Sequence, residues 1–258
     1  MNKIIKRIFY LYLSFLIKIN FTKSNIDSNC FNIRLFKRNF IYKTKDSFLL
    51  LLSEVYLNKI YDIKLNSESP VIFDIGANIG ISSFFFRDHF KKAKIYSFEA
   101  NPLAYRILKY NDEKNNLQLH TFNYALGSSD EDRDFYFTLD DHVGASFYKS
   151  RSSNEGNKIS VSQRKLSGFI NEEIDLMKID VEGAEMEIVK ELDEASKLKF
   201  FKNIIAEFHC NISENPNSLI NFLQIFEKNN FRFVIHNSTA GIDDSYNYHT
   251  YMIYLVRQ

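Results

Sequence analysis

Four side chains that could handle protons follow two apolar runs of the sequence. They are Asp180 and Glu182 after residues 174–179, and Glu207 and His209 around the end of residues 203–208. A hydroxyl that attacks an electrophile must lose its proton to a base, and carboxylate and imidazole are common bases. The same groups bind divalent cations, which make a hydroxyl more acidic. These four residues are our candidate catalytic residues.

Three interpretations of these residues stay open. In the first, which we expect, His209 or Asp180 is a general base. In the second, Asp180, Glu207 and His209 hold a divalent cation, which we do not include among the predicted cofactors. In the third, Asp180 and Glu182 only cap the following helix, whose first turn favours acids, and His209 is a half-buried core residue.

A glycine-containing turn, Asp74 to Gly80, follows the apolar run 71–73. Gly76 and Gly80 let the backbone adopt dihedral angles closed to other residues and approach a ligand closely. The N–H groups of the helix that begins there favour the negatively charged end of a ligand. Glu99 ends the next apolar run and could accept both hydroxyls of a ribose. Together these residues predict a site for a nucleoside-containing ligand.

The residue midway between the two glycines distinguishes between two ligands of this kind, a dinucleotide and S-adenosylmethionine. Dinucleotide sites use Gly-x-Gly-x-x-Gly so that the backbone can touch a pyrophosphate, whereas this turn has Asn78 at the middle position. The Asn78 side chain would crowd a pyrophosphate but can hydrogen-bond the carboxylate of an amino acid. We therefore predict S-adenosylmethionine as the cofactor. Its predicted site comprises Asp74, Gly76, Asn78, Gly80, Glu99 and Asp180.

Alternating strands and helices must position these residues. The pattern predicts strands at 71–73, 95–98, 117–124, 174–179 and 203–208, with helices at 79–90, from Asn101-Pro102, at 183–195 and from Asn215-Pro216. Such alternation implies an α/β fold with a parallel sheet, helices on both faces, and ligands beyond the carboxyl ends of the strands. The last two strands, 231–235 and 251–256, leave no room for a crossover helix. We expect them to pair antiparallel.

The main domain, residues 31–258, carries two further predicted features. A hairpin of residues 31–36 and 40–44 precedes a helix that Asp46 caps and that runs to Ile60. Residues 130–162 read as a β-rich insertion, which either roofs the acceptor pocket through Gly144, Ser146 and Tyr148 or serves as a dimer contact.

Residues 1–30 form an apolar and basic helical extension. Lys3, Lys6 and Arg7 precede the apolar run 8–17, whose ten helical residues would reach about 15 Å, or half of a bilayer core. The extension therefore cannot span a membrane. Either it packs on the domain or on the second subunit of a homodimer, or residues 1–20 make peripheral contact with the inner face of a membrane through their basic residues.

The composition limits the partners and the compartment. A net charge of +1 gives the chain no overall attraction for nucleic acid, so we expect no nucleic-acid partner. Cys30 and Cys210 show neither metal-site spacing nor a disulfide framework, which favours a reducing, cytoplasmic location.

Four stretches of the sequence resemble the FkbM-type methyltransferases. They are 71–80 (Val-Ile-Phe-Asp-Ile-Gly-Ala-Asn-Ile-Gly), 96–102 (Tyr-Ser-Phe-Glu-Ala-Asn-Pro), 175–185 (Asp-Leu-Met-Lys-Ile-Asp-Val-Glu-Gly-Ala-Glu) and 206–209 (Ala-Glu-Phe-His). The third stretch is the most specific, and the resemblance covers roughly residues 40–256. The sequence departs from the family at Ala100, where proline is common, and at residues 165–168, where Thr-Leu-Asp-Asp is frequent.

The resemblance implies a class I S-adenosylmethionine-dependent methyltransferase fold, with a mostly parallel seven-stranded sheet and an antiparallel final strand. It further implies O-methylation, often of a sugar hydroxyl in a glycan, polysaccharide or glycosylated metabolite. A non-sugar small molecule or lipid acceptor, or a non-catalytic cofactor-binding partner subunit, are the alternatives. Because this fold places adenine contacts at the end of its third strand, Asn123 and Ala125 complete the predicted cofactor site.

Overall fold

The computed structural model describes residues 8, 10–16, 22–23, 29–137, 146–147, 157–210, 218–237 and 249–258. The strands in chain order are β1 (Thr22–Lys23), β2 (Phe31–Leu35), β3 (Arg38–Tyr42), β4 (Val71–Ile75), β5 (Lys94–Phe98), β6 (His120–Phe122), β7 (Ala125–Leu126), β8 (Glu131–Phe137), β9 (Asn157–Arg164), β10 (Leu176–Ile179), β11 (Asn203–Cys210), β12 (Phe231–Asn237) and β13 (His249–Arg257). The α-helices are α1 (Lys45–Leu52), α2 (Ile81–His89), α3 (Pro102–Asn115), α4 (Glu185–Glu194) and α5 (Leu219–Lys228).

Seven strands form the central sheet in the order β6-β5-β4-β10-β11-β13-β12. The pairs β4–β5, β5–β6, β4–β10 and β10–β11 are parallel, whereas β13 is antiparallel to both β11 and β12. The predicted sheet, mostly parallel with an antiparallel final strand, is therefore confirmed. β13 lies inside the sheet and β12 lies at its edge.

The centre of the sheet is covered on both faces. Every residue of β4 and of β10 is buried, as expected for parallel strands between two layers of helices. One core contains Phe84 of α2 and the other contains Phe222 of α5. The polar residues of these two central strands are Asp74 and Lys178. Because a buried charge is costly unless it has a partner, both residues need specific contacts.

Several predicted helix boundaries are wrong by a few residues. α1 begins after Thr44, and Asp46 lies in its first turn instead of capping it. It ends at Leu52, where a π-helical turn, Ser53–Asn58, continues the chain. α2 begins at Ile81 instead of residue 79 because the preceding Gly80 has a left-handed backbone.

Of the later boundaries, the start of α3 agrees with the prediction and the others differ by a few residues. The predicted start of α3 is confirmed, since the Asn101 side chain accepts hydrogen bonds from two N–H groups of the first turn. α4 begins at Glu185 and not at residue 183. α5 begins after Ser218, whose side chain caps it; the predicted start, Asn215-Pro216, lies outside the described residues. The strand predicted at 117–124 shortens to β6.

The N-terminal part packs against the face of the sheet that α2 covers. The predicted hairpin is confirmed as β2 and β3, joined by Phe36 and Lys37, which both have positive φ angles. Residues 10–16 are helical, and Leu13 is buried in the same core as the hairpin and α2. None of the helices among the described residues combines the length and the hydropathy needed to cross a bilayer.

The insertion builds a small separate sheet. β8 and β9 pair antiparallel, and β9 pairs in parallel with β7. Ser146 bridges to Tyr136 of β8. Gly144 and Tyr148, which one of the two interpretations of the insertion places over the acceptor pocket, lie outside the described residues.

Candidate active site

The turn after β4 is wedged between β5 and β10. Gly76, Asn78 and Gly80 have φ angles of 76°, 51° and 96°, so all three occupy the left-handed region. A Cβ atom on Gly76 would lie 1.7 Å from the carbonyl oxygen of Asp180. The N–H groups of Gly76 and Ala77 both donate to the carbonyl of Phe98. The glycine at position 76 is therefore required by the close approach of two strand ends.

Asp74 and Lys178 lie directly behind this turn. The Asp74 carboxylate accepts hydrogen bonds from Ser82 and Ser83 of α2, at 2.7 and 2.5 Å. The Lys178 ammonium donates to the carbonyls of Ile75 and Gly76 and lies 3.5 Å from carboxylate oxygens of both Asp74 and Asp180. The Asp74 side chain thus holds the turn from inside the protein, and any part it takes in cofactor binding acts through the backbone.

Glu99 lies at the end of β5, beside the turn. Its two carboxylate oxygens accept hydrogen bonds from the backbone N–H groups of Asn78 and Asn101, each at 2.7 Å. Burial raises the pKa of Glu99 to about 7, although these two N–H groups oppose the rise. Since each carboxylate oxygen has two acceptor positions, the predicted bonds to a ribose diol are compatible with this arrangement.

Of the other predicted cofactor residues, Asn78 and Asn123 contact Glu99, whereas Ala125 lies in the small sheet of the insertion. The Asn78 side-chain oxygen accepts from the N–H of Ile79, so this oxygen shapes the turn, and the side-chain NH₂ is the group suited to a ligand carboxylate. The Asn123 NH₂ donates to the carbonyls of Glu99 and Ala100. Ala125 is buried beside Phe135 and Val161 of the insertion.

The acids that follow β10 and the acid of β11 converge on a buried histidine of β11. His209 is 2% exposed, and its Nδ1 lies 2.8 Å from a carboxylate oxygen of Glu185. The same oxygen accepts from the N–H groups of Val181 and Gly183. Burial lowers the pKa of His209, but the Glu185 carboxylate together with the charges of Glu207 and Asp180 raises the pKa overall. Glu185 therefore fixes the ring and favours its charged form.

The second ring nitrogen of His209 faces the remaining acids. Nε2 lies 3.3 Å from Glu182 and 3.9 Å from Glu207. Burial and the charge of Asp180 raise the pKa of Glu207 to about 8. The ligand atoms of Asp180, Glu182 and His209 all lie within 4.8 Å of one another. The structure thus brings all four candidate catalytic residues together, and the triad compact enough for a cation contains Glu182 in place of the predicted Glu207.

Two parts of the structural interpretation of these residues are wrong. Neither Asp180 nor Glu182 caps α4, which begins at Glu185 after Ala184 without a side-chain cap. His209 is fully buried and not half-buried. Glu182 has a φ of 57°, an uncommon conformation for this residue type that is often found at functional sites.

Sequence reasoning missed three residues that the structure adds to the site: Glu54, Tyr61 and Lys178. Glu54 belongs to the π-helical turn, and burial together with Asp180 raises its pKa to about 7. The ring centroid of Tyr61 lies 5.7 Å from the Lys178 ammonium. A lysine inside an otherwise apolar strand was the available signal for Lys178, since such a charge requires a partner.

The insertion reaches the same acids. The Ser146 hydroxyl donates to the carbonyl of Glu182 at 2.6 Å. The neighbouring Phe147 packs in the cluster that contacts Ala100, the residue that replaces the family's usual proline. The described part of the insertion therefore bonds to the backbone of residue 182 and shares an apolar cluster with the residue after Glu99.

Comparisons with known proteins agree with this geometry. The family model of the methyltransferase FkbM domain matches residues 74–233. The chain is 28% identical to methyltransferase sdnD of Sordaria araneosa over 190 residues, which cover 61% of this chain and 73% of that protein. It is 28% identical to the hexuronic acid methyltransferase AglP of Haloferax volcanii over 145 residues, 56% of this chain and 58% of AglP.

Solved structures agree on the fold. The fibrillarin/Nop5p complex structure contains a chain that aligns with a TM-score of 0.50 at 14% identity, covering 93% of this chain and 98% of that chain. The left-handed turn, the close contact at Gly76 and the carboxylate of Glu99 fit S-adenosylmethionine as the cofactor. The chain belongs to the FkbM methyltransferase family and is an S-adenosylmethionine-dependent methyltransferase.

Proposed function

We propose that this enzyme methylates a hydroxyl group, and that the hydroxyl belongs to a sugar. The observation that carries the proposal is the buried His209 ring, held at Nδ1 by Glu185 and turned with Nε2 toward the acids. A base fixed in this way serves a nucleophile that must lose a proton, such as a hydroxyl. A carboxylate acceptor is already ionised and would not need it.

The surroundings of His209 support a sugar. Asp180, Glu182 and Glu207 can accept hydrogen bonds from the several hydroxyls that a sugar presents. The same negative charges oppose a second anion at the point of transfer, which favours a ring hydroxyl over a carboxyl group. The likeness to AglP, named a hexuronic acid methyltransferase, points to the same class of acceptor.

Protons must be arranged before transfer. The Glu185 carboxylate at Nδ1 and the acids that face Nε2 favour the protonated form of the His209 ring. Glu207, whose pKa is raised to about 8, can take the Nε2 proton once it has itself ionised. The neutral ring then accepts the proton of the acceptor O–H, and Glu185 stabilises the imidazolium that forms. The bound cofactor supplies a methyl group on a positively charged sulfur.

A divalent cation is the second candidate for this step. The triad of Asp180, Glu182 and His209 offers two carboxylates and one imidazole within 4.8 Å of one another. A cation there would lower the pKa of the acceptor hydroxyl directly. Exhaustive treatment with EDTA separates the candidates: full activity afterwards supports His209 as the base, whereas loss of activity restored by Mg²⁺ or Mn²⁺ supports the cation.

The acceptor class is tested with labelled S-adenosylmethionine and a panel of methyl glycosides, uronosides, and sugar-free alcohols. We expect a product whose methyl group resists mild alkali, as an ether does, and we expect His209→Asn to abolish it. An alkali-labile methyl ester on the uronoside would contradict the proposal. Turnover of sugar-free alcohols alone would refute the sugar assignment and favour the small-molecule alternative.

A further inference from the structure

One face of the N-terminal helix is anchored in the domain. Leu13 is 1% exposed and belongs to the core that also contains Phe40 and Phe84, and Leu16 packs against the same core. These contacts fix how the described helical residues, 10–16, are rotated relative to the domain. The face opposite Leu13 is consequently presented outward in a defined orientation.

That outward face is apolar. Ile8, Leu11, Tyr12 and Phe15 are 61%, 60%, 55% and 57% exposed, and we call them the outer stripe. Their spacing of three, four and seven residues places them on one side of a helix. Exposed apolar side chains that are contiguous, rather than scattered, usually mark a surface that contacts a partner or a membrane.

The charge around the outer stripe has a single sign. Residues 1–26 contain Lys3, Lys6, Arg7, Lys18 and Lys23 and no acidic residue. Since the whole chain has a net charge of +1, the remainder carries −4. The segment that bears the outer stripe is thus strongly basic on a protein that is otherwise acidic.

We propose that the outer stripe docks the enzyme on a membrane surface that contains anionic lipids. Apolar side chains from a helix lying in the interface, combined with basic residues on the headgroups, supply the two signals that stable peripheral binding requires. A symmetric contact between two copies would bring two basic segments together, and this repulsion disfavours a dimer through the same face. The proposal does not depend on the identity of the methyl acceptor.

Vesicle co-sedimentation of the full chain tests the proposal. We expect binding to vesicles of phosphatidylcholine with phosphatidylserine that exceeds binding to phosphatidylcholine alone by about tenfold or more, and that weakens with salt. Replacing Lys3, Lys6 and Arg7 by Gln should weaken it about fivefold per residue. The double variant Leu11→Ser with Phe15→Ser should lose binding to both kinds of vesicle.

A matched control keeps the test specific. Ile220→Ser removes an equally apolar side chain, 68% exposed on α5, and should bind vesicles as the unchanged protein does. Calorimetric binding of S-adenosylmethionine checks that each variant is folded. Equal sedimentation of the stripe variant and the unchanged protein would overturn the proposal. So would a dimer, measured by light scattering, that the stripe variant converts to a monomer.

Discussion

The cofactor side and the acceptor side of the site are held together in opposite ways. On the cofactor side, each acid accepts two hydrogen bonds from the protein: Asp74 from two serines and Glu99 from two backbone N–H groups. On the acceptor side, acids crowd around His209, and the pKa of Glu207 rises to about 8. Hydrogen bonds within the protein therefore hold the cofactor side in place. The acceptor side instead contains clustered acids, whose mutual repulsion a bound hydroxyl or cation would relieve.

The sharpest test of the scaffold is Gly76→Ala. Because the new Cβ would lie 1.7 Å from a backbone oxygen and φ is positive, we expect a loss of about 2–6 kcal/mol in the free energy of unfolding and no measurable cofactor binding by calorimetry. Gly168→Ala is the control, since nothing lies within 4 Å of its Cβ position. Normal cofactor affinity in Gly76→Ala would show that the turn is less rigid than this contact requires.

Lys178→Met tests whether one buried charge joins the two sides. It leaves Asp74 and Asp180 without the ammonium between them, and breaking a buried pair typically costs about 3–5 kcal/mol. Lys202→Met, which removes a half-exposed ion pair, should cost about 0–1 kcal/mol. Urea unfolding measures both. Equal losses of unfolding free energy in the two variants would show that Lys178 does not stabilise the contact between the two sides of the site.

Glu185→Gln should affect the acceptor side alone. The raised pKa of His209 depends on Glu185, and only the neutral ring accepts a proton. Activity of the unchanged enzyme should therefore rise with pH through that raised pKa. In the variant this rise should move to lower pH, while the plateau kcat falls about 10–100-fold and cofactor affinity stays the same. The exposed Glu194→Gln on the same helix is the control; an unmoved pH profile in Glu185→Gln would contradict the mechanism.

The smallest effect is expected at the insertion. Ser146→Ala removes the hydrogen bond to the Glu182 carbonyl, worth about 1 kcal/mol, so the acceptor KM should rise about fivefold with kcat nearly constant. Ser162→Ala is the control: the Ser162 hydroxyl donates to the exposed Asp132 carboxylate on β8, so its loss should leave the KM unchanged. A change in cofactor affinity instead would show that Ser146 acts on the cofactor side of the site.

This difference also explains which parts could be predicted from the sequence. The cofactor side is local: β4, its turn and Glu99 lie within 30 residues, and glycine positions reveal the backbone they need. The acceptor side combines distant segments. Glu54 meets Asp180 only because of tertiary packing, and no local pattern distinguishes it from ordinary surface residues. The sequence offered Ser146 as one residue of a pocket roof, but its bond to the Glu182 carbonyl also depends on tertiary packing. The role of Glu185 was equally hidden, because an acid in a first helical turn is common for other reasons.

The contact between Gly76 and the Asp180 carbonyl has a consequence for engineering. This contact holds the cofactor turn against the end of β10. The π-helical turn and the described part of the insertion belong to other segments of the chain and pack against these two elements. Segments 53–61 and 130–162 are therefore the ones to exchange between relatives, with Tyr61, which packs on Lys178, and Ser146, which bonds to the Glu182 carbonyl, retained. Grafting these two segments is accordingly the most direct route to a chimera that keeps its methyl donor and uses a different methyl acceptor.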